Sequence, residues 1–487
     1  MTGSPYKTSD GAVFVQPFGA NTRARYLGCA DVDALTQPGG EIDTIIRCFK
    51  ADGTGWVALD STVTPPDPVS TTITTLIEST ANWLEQVEQG EANIFIHQRN
   101  GGRADTFGNY DRTWILQKVR IGEQTAENLA MREEDVPSTL AFSVSALPPI
   151  YKVFQKTAGR QAQSVATAIN DVHFCGVGTQ AGKIGVAVSD FIAGPGKAQI
   201  LYTWDGGGTW TATATQPFAN SEDIRTVTCF QIGKNTTRIL VARGTTDAVN
   251  PAEVAYSDDW GATWTLRNVG VTNAQFAPGP ASLFALDPYN IWLVAGSGFL
   301  YYSNDGGVTW TTQENAGTTT NALWGVHFAS ERVGYAVGAA DTIIKTEDGG
   351  ETWTLTATNT GVSAVLQTVY VIDNDNVWVG AANGRLWYTE NGGVTWAEKT
   401  FAGSATGGIT DIQFLPGSTL FGYMAHNNGT PVGTMYFTID GGYSWDPIVL
   451  PTNTGLNGIA VIDENTVFFS GEAQGGTGVI GKVFAKP

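Results

Sequence analysis

The fold class predicted for this 487-residue chain is mostly β: an α+β sandwich with one helix over residues 1–150, then a seven-bladed β-propeller over residues 151–487. Three observations predict it. Gly occurs 59 times and Trp 15 times, a turn-and-strand vocabulary, and amphipathic helical runs are almost absent. A turn ending in tryptophan recurs through the last two thirds of the chain, and none occurs in the first third. That first third instead alternates apolar and polar residues in short runs around one helical segment.

In residues 1–150, "VSTTITTLI" (Val69 to Ile77) and "LAFSVSA" (Leu140 to Ala146) read as half-buried strands. Leu140, Phe142, Val144 and Ala146 share one face of the second. "NIFIHQR" and "RTWILQKVRIG" read as further strands. The helix is "STANWLEQVEQG" (Ser79 to Gly90), with Trp83, Leu84 and Val87 as its apolar face, Ser79 or Thr80 as its cap, and Gly90 as its end. A Pro-rich loop (Ala51 to Pro68) precedes the strands, a polar Gly loop (Asn100 to Arg112) interrupts them, and "LPPI" from Leu147 forms a hinge.

This order of strand, helix, strand, long loop and long strands resembles the tail tube proteins of long-tailed bacteriophages. The resemblance implies a virion structural protein, a tail tube subunit that joins five others in a hexameric ring. Rings would stack into a DNA conduit beside other tail proteins, with DNA passing through the lumen without specific binding. It also implies a virion location after synthesis in the host cytoplasm, with the propeller displayed outside, where it would meet host-surface glycans. Residues 1–150 carry 19 acidic against 11 basic side chains, which suits a surface over which a polyanion slides.

The recurring turn reads "TWDGGGTW" from Thr203, "SDDWGATW" from Ser257, "SNDGGVTW" from Ser303, "TEDGGETW" from Thr346, "TENGGVTW" from Thr389 and "TIDGGYSW" from Thr438. Successive tryptophans lie 43 to 54 residues apart, the length of a four-stranded propeller blade. The aspartates Asp205, Asp259, Asp305, Asp348 and Asp440, with Asn391 in the fifth copy, accept bonds from their own turns, Gly supplies a positive φ, and Trp packs between sheets. "LWGVHFA", "VGYAVGA", "TIIKTED" and "TWTLTAT", between Leu323 and Thr358, show the four strands of one blade. A seventh repeat from Leu456 has three strands and stops at Pro487, so "YKVFQKT" (Tyr151 to Thr157) is expected to supply its outer strand and close the ring. The pattern resembles the Asp-box, or BNR, repeat of sialidases, sortilin-type receptors and photosystem II assembly factors.

The formal charge of −19 argues against a nucleic-acid grip and an anionic membrane surface. No stretch reaches the length of a membrane span, and no basic, apolar leader opens the chain, so no membrane insertion is expected. Cys29, Cys48, Cys175 and Cys229 show no ligand spacing and read as buried free thiols. His97, His173, His327 and His426 are scattered and read as packed or solvated, so no metal and no cofactor is expected. One aspartate per blade suits turn-locking better than catalysis, which needs a carboxylate pair once. Arg225, Arg238, Arg243, Arg332 and Arg385 lack the Arg-Ile-Pro setting of the sialidases, so no catalytic site and no enzyme is expected. The alternative function is a glycan-binding or glycan-cleaving propeller using aromatics such as Tyr301, Tyr302, Trp387 and Tyr388; a photosystem-type assembly factor is a third.

Overall fold

The computed structural model describes residues 11–17, 25–30, 69–76, 91–98, 112–125, 139–146, 150–154 and 156–485, the last apart from 161–166, 176–181, 193–196, 219–222, 234–235, 245–250, 273–280, 314–317, 357–363, 402–406, 417, 428–432, 449, 451–454 and 475–476. The chain forms two compact units, Met1–Lys156 with Ala485–Pro487, and Thr157–Phe484.

The first unit contains β1 (Gly11–Pro17), β2 (Arg25–Ala30), β3 (Val69–Leu76), β4 (Glu91–Gln98), β5 (Arg112–Thr125), β6 (Thr139–Ala146) and β7 (Ile150–Phe154). They pair in the order β4-β1-β2-β3-β6-β5-β7, and β4 also pairs with β5, so the sheet closes on itself. Where the sequence predicts a β-sandwich with one helix, the described strands pair as one closed sheet. The length of β5 explains it: Arg112 to Arg120 pairs with β4, while Arg112 to Leu116 also pairs with β7, and Arg120 to Thr125 with β6. The predicted helix from Ser79 to Gly90, the loop from Ala51 to Pro68, residues 100–111 and the hinge at Pro148 and Pro149 lie outside the described residues.

The second unit is a seven-bladed propeller of four-stranded antiparallel sheets. The first strands of the blades are Ile169–Phe174, Asp223–Gln231, Leu283–Asp287, Leu323–Phe328, Leu366–Val371, Gly408–Phe414 and Leu456–Asp463. Second strands such as Gly334–Gly338 and Val377–Ala381 are buried at every residue, as expected of short apolar runs covered on both faces. Between blades the apolar side chains form continuous clusters; Trp292, Val294 and Leu300 of blade 3 meet Phe328, Ile344 and Trp353 of blade 4.

The last blade is completed by β8 (Lys156–Arg160), which takes the outer place beside Thr477–Ala485. The expected closing strand began five residues too early. Ile150 to Phe154 is already paired with β5 of the first unit, and only the following residues are available to the propeller.

A second correction concerns the thiols. Cys175 and Cys229 form a disulfide, their Cα atoms 5.2 Å apart across 54 residues. That separation equals the distance from Trp210 to Trp264, so one blade repeat carries the second cysteine round to the first. It joins the end of the inner strand of blade 1 to the inner strand of blade 2, and such bonds persist in oxidising compartments.

Candidate functional site in the axial channel

The turn motifs hold the blades together. In the fourth copy the Thr346 hydroxyl donates to Asp348 Oδ1 (2.8 Å), which also accepts the Thr352 N–H (2.9 Å), while Asp348 Oδ2 accepts the Thr352 hydroxyl (2.6 Å). Burial opposes the charge, yet the bonds from Thr352 outweigh it and hold this carboxyl at about 2. Asn391 keeps the same geometry because its amide donates to Thr395 Oγ1 (2.8 Å), reversing that bond. The same contacts recur at Asp205, Asp259, Asp305 and Asp440. The closing tryptophans pack inward: Trp210, Trp353, Trp396 and Trp445 are buried, whereas Trp264 and Trp310 are half-buried. These aspartates are committed to their turns.

The candidate arginines do not converge. Arg238 makes a two-pronged contact with Asp258 at 2.7 Å, Arg225 pairs with Asp190 and Asp223, Arg243 with Glu253, and Arg385 with Glu398. Arg332 donates to the Glu347 carbonyl. Of the candidate aromatics, Tyr301 and Trp387 are buried, Tyr302 packs at a tilt against Trp292, and Tyr388 stacks on Trp378.

A cavity of about 260 Å³ instead lies where the inner strands meet. Each inner strand alternates, so one residue in two faces the axis. The inner strands contribute His173, Thr228, Phe284, His327, Tyr370, Gln413 and Ala460, and a further tier includes Asp171, Thr368 and Asp411. Among the described residues, no Lys or Arg lines the cavity.

Most of these polar groups stitch one blade to the next. His173 Nδ1 accepts the Cys229 N–H (3.3 Å), and His327 Nδ1 accepts the Val371 N–H (3.2 Å). Asp171 Oδ2 accepts the Val227 N–H (2.9 Å), Asp411 Oδ2 accepts the Ile459 N–H (3.0 Å), and the Tyr370 hydroxyl donates to the Phe414 carbonyl (3.0 Å). An imidazole whose Nδ1 accepts must, when neutral, carry its proton on Nε2. Burial keeps both rings neutral, lowering His173 to about 4 and His327 to about 3. Burial also raises the Asp171 carboxyl well above its usual range, helped by the charge of Asp411, and raises Asp411 to about 6. The His327 ring lies between Phe284 (4.3 Å) and Tyr370 (4.2 Å), and Tyr370 approaches Phe414 at 5.4 Å, an aromatic arc across blades 3 to 6.

The channel therefore combines two imidazole N–H groups, two carboxyls whose protonated form burial favours, and a row of aromatic rings. Its chemistry suits a neutral partner that both donates and accepts. Among the described residues, no group of three His, Cys, Asp or Glu side chains is placed to hold a metal. The sequence reads His173 and His327 as packed or solvated and does not single out Asp171 or Asp411. A signal existed, since "DVHF", "GVHF" and "DIQF" repeat a polar residue at one register of the inner strand.

Comparison with known proteins agrees with the propeller. A family model described as the photosynthesis system II assembly factor YCF48 matches residues 316–466, and one for the BNR/Asp-box repeat matches residues 301–312. A search of curated proteins returned no match. Among solved structures, YCF48 bound to a D1 peptide is similar at a TM-score of 0.50 and 16% identity, over 68% of this chain and 95% of that one. The GH74 xyloglucanase of Xanthomonas campestris is similar at a TM-score of 0.50 and 17% identity, over 66% of this chain and 53% of that one. YCF48 from Cyanidioschyzon merolae follows at 0.48 and 20%, over 68% and 98%. At these identities the likeness is one of fold. The match of residues 316–466 to the assembly-factor model overturns the tail-tube reading and the virion location with it. That reading rested on strand order in the first 150 residues, and strand order without a diagnostic motif is shared by many folds.

Proposed function

We propose that the propeller is a non-catalytic recognition module that takes a neutral glycan at its axial channel. The observation that carries this reading is the channel lining: Nε2–H groups of His173 and His327 beside an aromatic arc, with no Lys or Arg among the described lining residues. Sugar hydroxyls both donate and accept, and sugar C–H faces stack on aromatic rings. An anionic sugar would need a cation to hold it, and the propeller arginines are engaged elsewhere. Hydrolysis needs an acid and a second carboxylate on either side of a scissile bond. Asp171 and Asp411 instead accept backbone N–H groups of the neighbouring blade, a positioning that serves the fold.

A second reading is peptide recognition, favoured by the family model over residues 316–466, since the YCF48 structure of similar fold holds a D1 peptide. Calorimetric titration of neutral oligosaccharides and of unrelated peptides into wild type and His327→Ala separates the two. Sugar binding that His327→Ala weakens, with no reducing ends released, supports the proposal. Peptide binding alone moves the assignment to the second reading. Sugar release abolished by Asp411→Asn would make the protein an enzyme.

A further inference from the structure

His173 and His327 make the same bond to the next blade, and one of them does so beside sulfur. His173 Nδ1 accepts the Cys229 N–H at 3.3 Å, and His327 Nδ1 accepts the Val371 N–H at 3.2 Å. Valine therefore stands in blade 5 where cysteine stands in blade 2, and the seam between blades 4 and 5 makes this bond without a bridge. The Cys175–Cys229 disulfide is an addition to a contact that forms without it. Cys229 Sγ lies 3.4 Å from His173 Nδ1, within reach of a sulfur hydrogen bond, and the His173 ring lines the channel. Sulfur in a disulfide carries no hydrogen, so the oxidised bridge offers Nδ1 no donor and the backbone N–H is unopposed there. An accepting imidazole nitrogen has a single lone pair, and a second donor placed beside it competes with the first.

We propose that the Cys175–Cys229 disulfide is a redox switch on His173. A dithiol reductant attacks Cys175 Sγ, one residue beyond the inner strand of blade 1, and Cys229 leaves as a thiolate that takes up a proton. The second thiol of the reductant then displaces Cys175 and closes the reductant's own disulfide, so two electrons and two protons pass to the protein. Both sulfurs belong to an apolar cluster with Ile184, Val186, Ile239 and Val241, and such surroundings hold Cys229 as a thiol rather than a thiolate. Its new S–H donates to His173 Nδ1 and competes with the Cys229 N–H for the one lone pair. The ring shifts, and with it the Nε2–H that blade 1 presents to the channel. His327, with valine beside it, lies outside the switch. The effect on a bound ligand rests on the reading of the channel given above, whereas the switch itself is read at the ring.

The test is ring-nitrogen NMR of the full chain carrying isotope-labelled histidine, before and after dithiothreitol, for wild type, Cys175→Ala and Cys229→Val. The chain has four histidines, and His173→Gln and His327→Gln assign the two signals that matter. Both cysteine variants lose the bridge, but Cys175→Ala keeps the Cys229 thiol, and Cys229→Val reproduces the setting of Val371. The proposal expects dithiothreitol to shift the His173 Nδ1 signal of wild type and to leave that of His327 in place. Cys175→Ala should show the shifted His173 signal without reductant, and Cys229→Val should show neither the shift nor a response to reductant. Equal His173 signals in the two cysteine variants overturn the proposal, because loss of the crosslink alone then accounts for the effect. A His173 signal that is the same in oxidised and reduced wild type overturns it too, as does a bridge that dithiothreitol leaves intact in the folded chain. No ligand takes part in these spectra, so failure of the switch and failure of the channel reading are told apart.

Discussion

Asp411→Asn probes the electrostatics of the channel most directly. Burial raises the Asp411 carboxyl from 3.8 to about 6, although the N–H groups of Ile459 and Ile412 and the side chains of Gln413 and Thr368 favour its charged form. The folded chain thus holds this proton more tightly than the unfolded chain does. A raised carboxyl stabilises the fold fully below about pH 4, loses that contribution as pH climbs through about 6, and contributes none above. Two pKa units correspond to about 3 kcal/mol. That figure is an upper one, because Asp411 is packed on the blade side and open to the channel on the other. Asparagine does not titrate, so the stability of the variant relative to wild type should rise by about 2–3 kcal/mol between about pH 4 and pH 7. In a cooperative unit of about 330 residues this is a relative gain of roughly 3–4 °C in melting temperature, at about 2.1 cal/mol/K per residue. The Asp171 carboxyl, raised by burial and in part by the charge of Asp411, should shift stability in the same direction as pH rises. Thermal melts of both proteins across that pH range decide the matter. A difference that does not vary with pH refutes the reasoning.

Trp353 is 5% exposed and meets Phe328 edge-on at 5.9 Å, so Trp353→Ala should cost about 3–5 kcal/mol, read by calorimetry; an unchanged melt would deny it a role between blades. Asp348→Asn should be tolerated within about 1 kcal/mol, following Asn391, whereas Asp348→Ala should cost about 1–2 kcal/mol as the turn loses its acceptor. Equal losses in chemical denaturation would show that the turn bonds do not matter. The Cys175–Cys229 disulfide closes a 54-residue loop, for which chain entropy gives about 4 kcal/mol, so Cys229→Ala should melt well below wild type. Non-reducing peptide mapping should recover the linked pair, and free thiols at both positions would contradict it.

The sequence by itself determined the propeller, because its information is local. The turn motif is written within eight residues: Asp or Asn, positive-φ Gly, Thr or Ser, and Trp bond or pack close to where they stand, so "TEDGGETW" announces its hairpin without any partner. The four-strand period and the truncated last repeat follow from the same reading, and they imply a strand borrowed from ahead of the first blade. Which residues form that strand was not legible, since "YKVF" has equal strand character for either sheet; pairing of Ile150–Phe154 with β5 assigned it, leaving Lys156–Arg160 for the propeller. The channel belongs to tertiary structure alone. Asp171 and Asp411 come from blades 1 and 6 and influence one another only because the ring closes. The Cys175–Cys229 disulfide and the Trp204–Trp260 pair likewise join neighbouring blades. No spacing rule within one strand foretells contacts of this kind, because the distance between their members is set by a whole repeat and by the curvature of the ring.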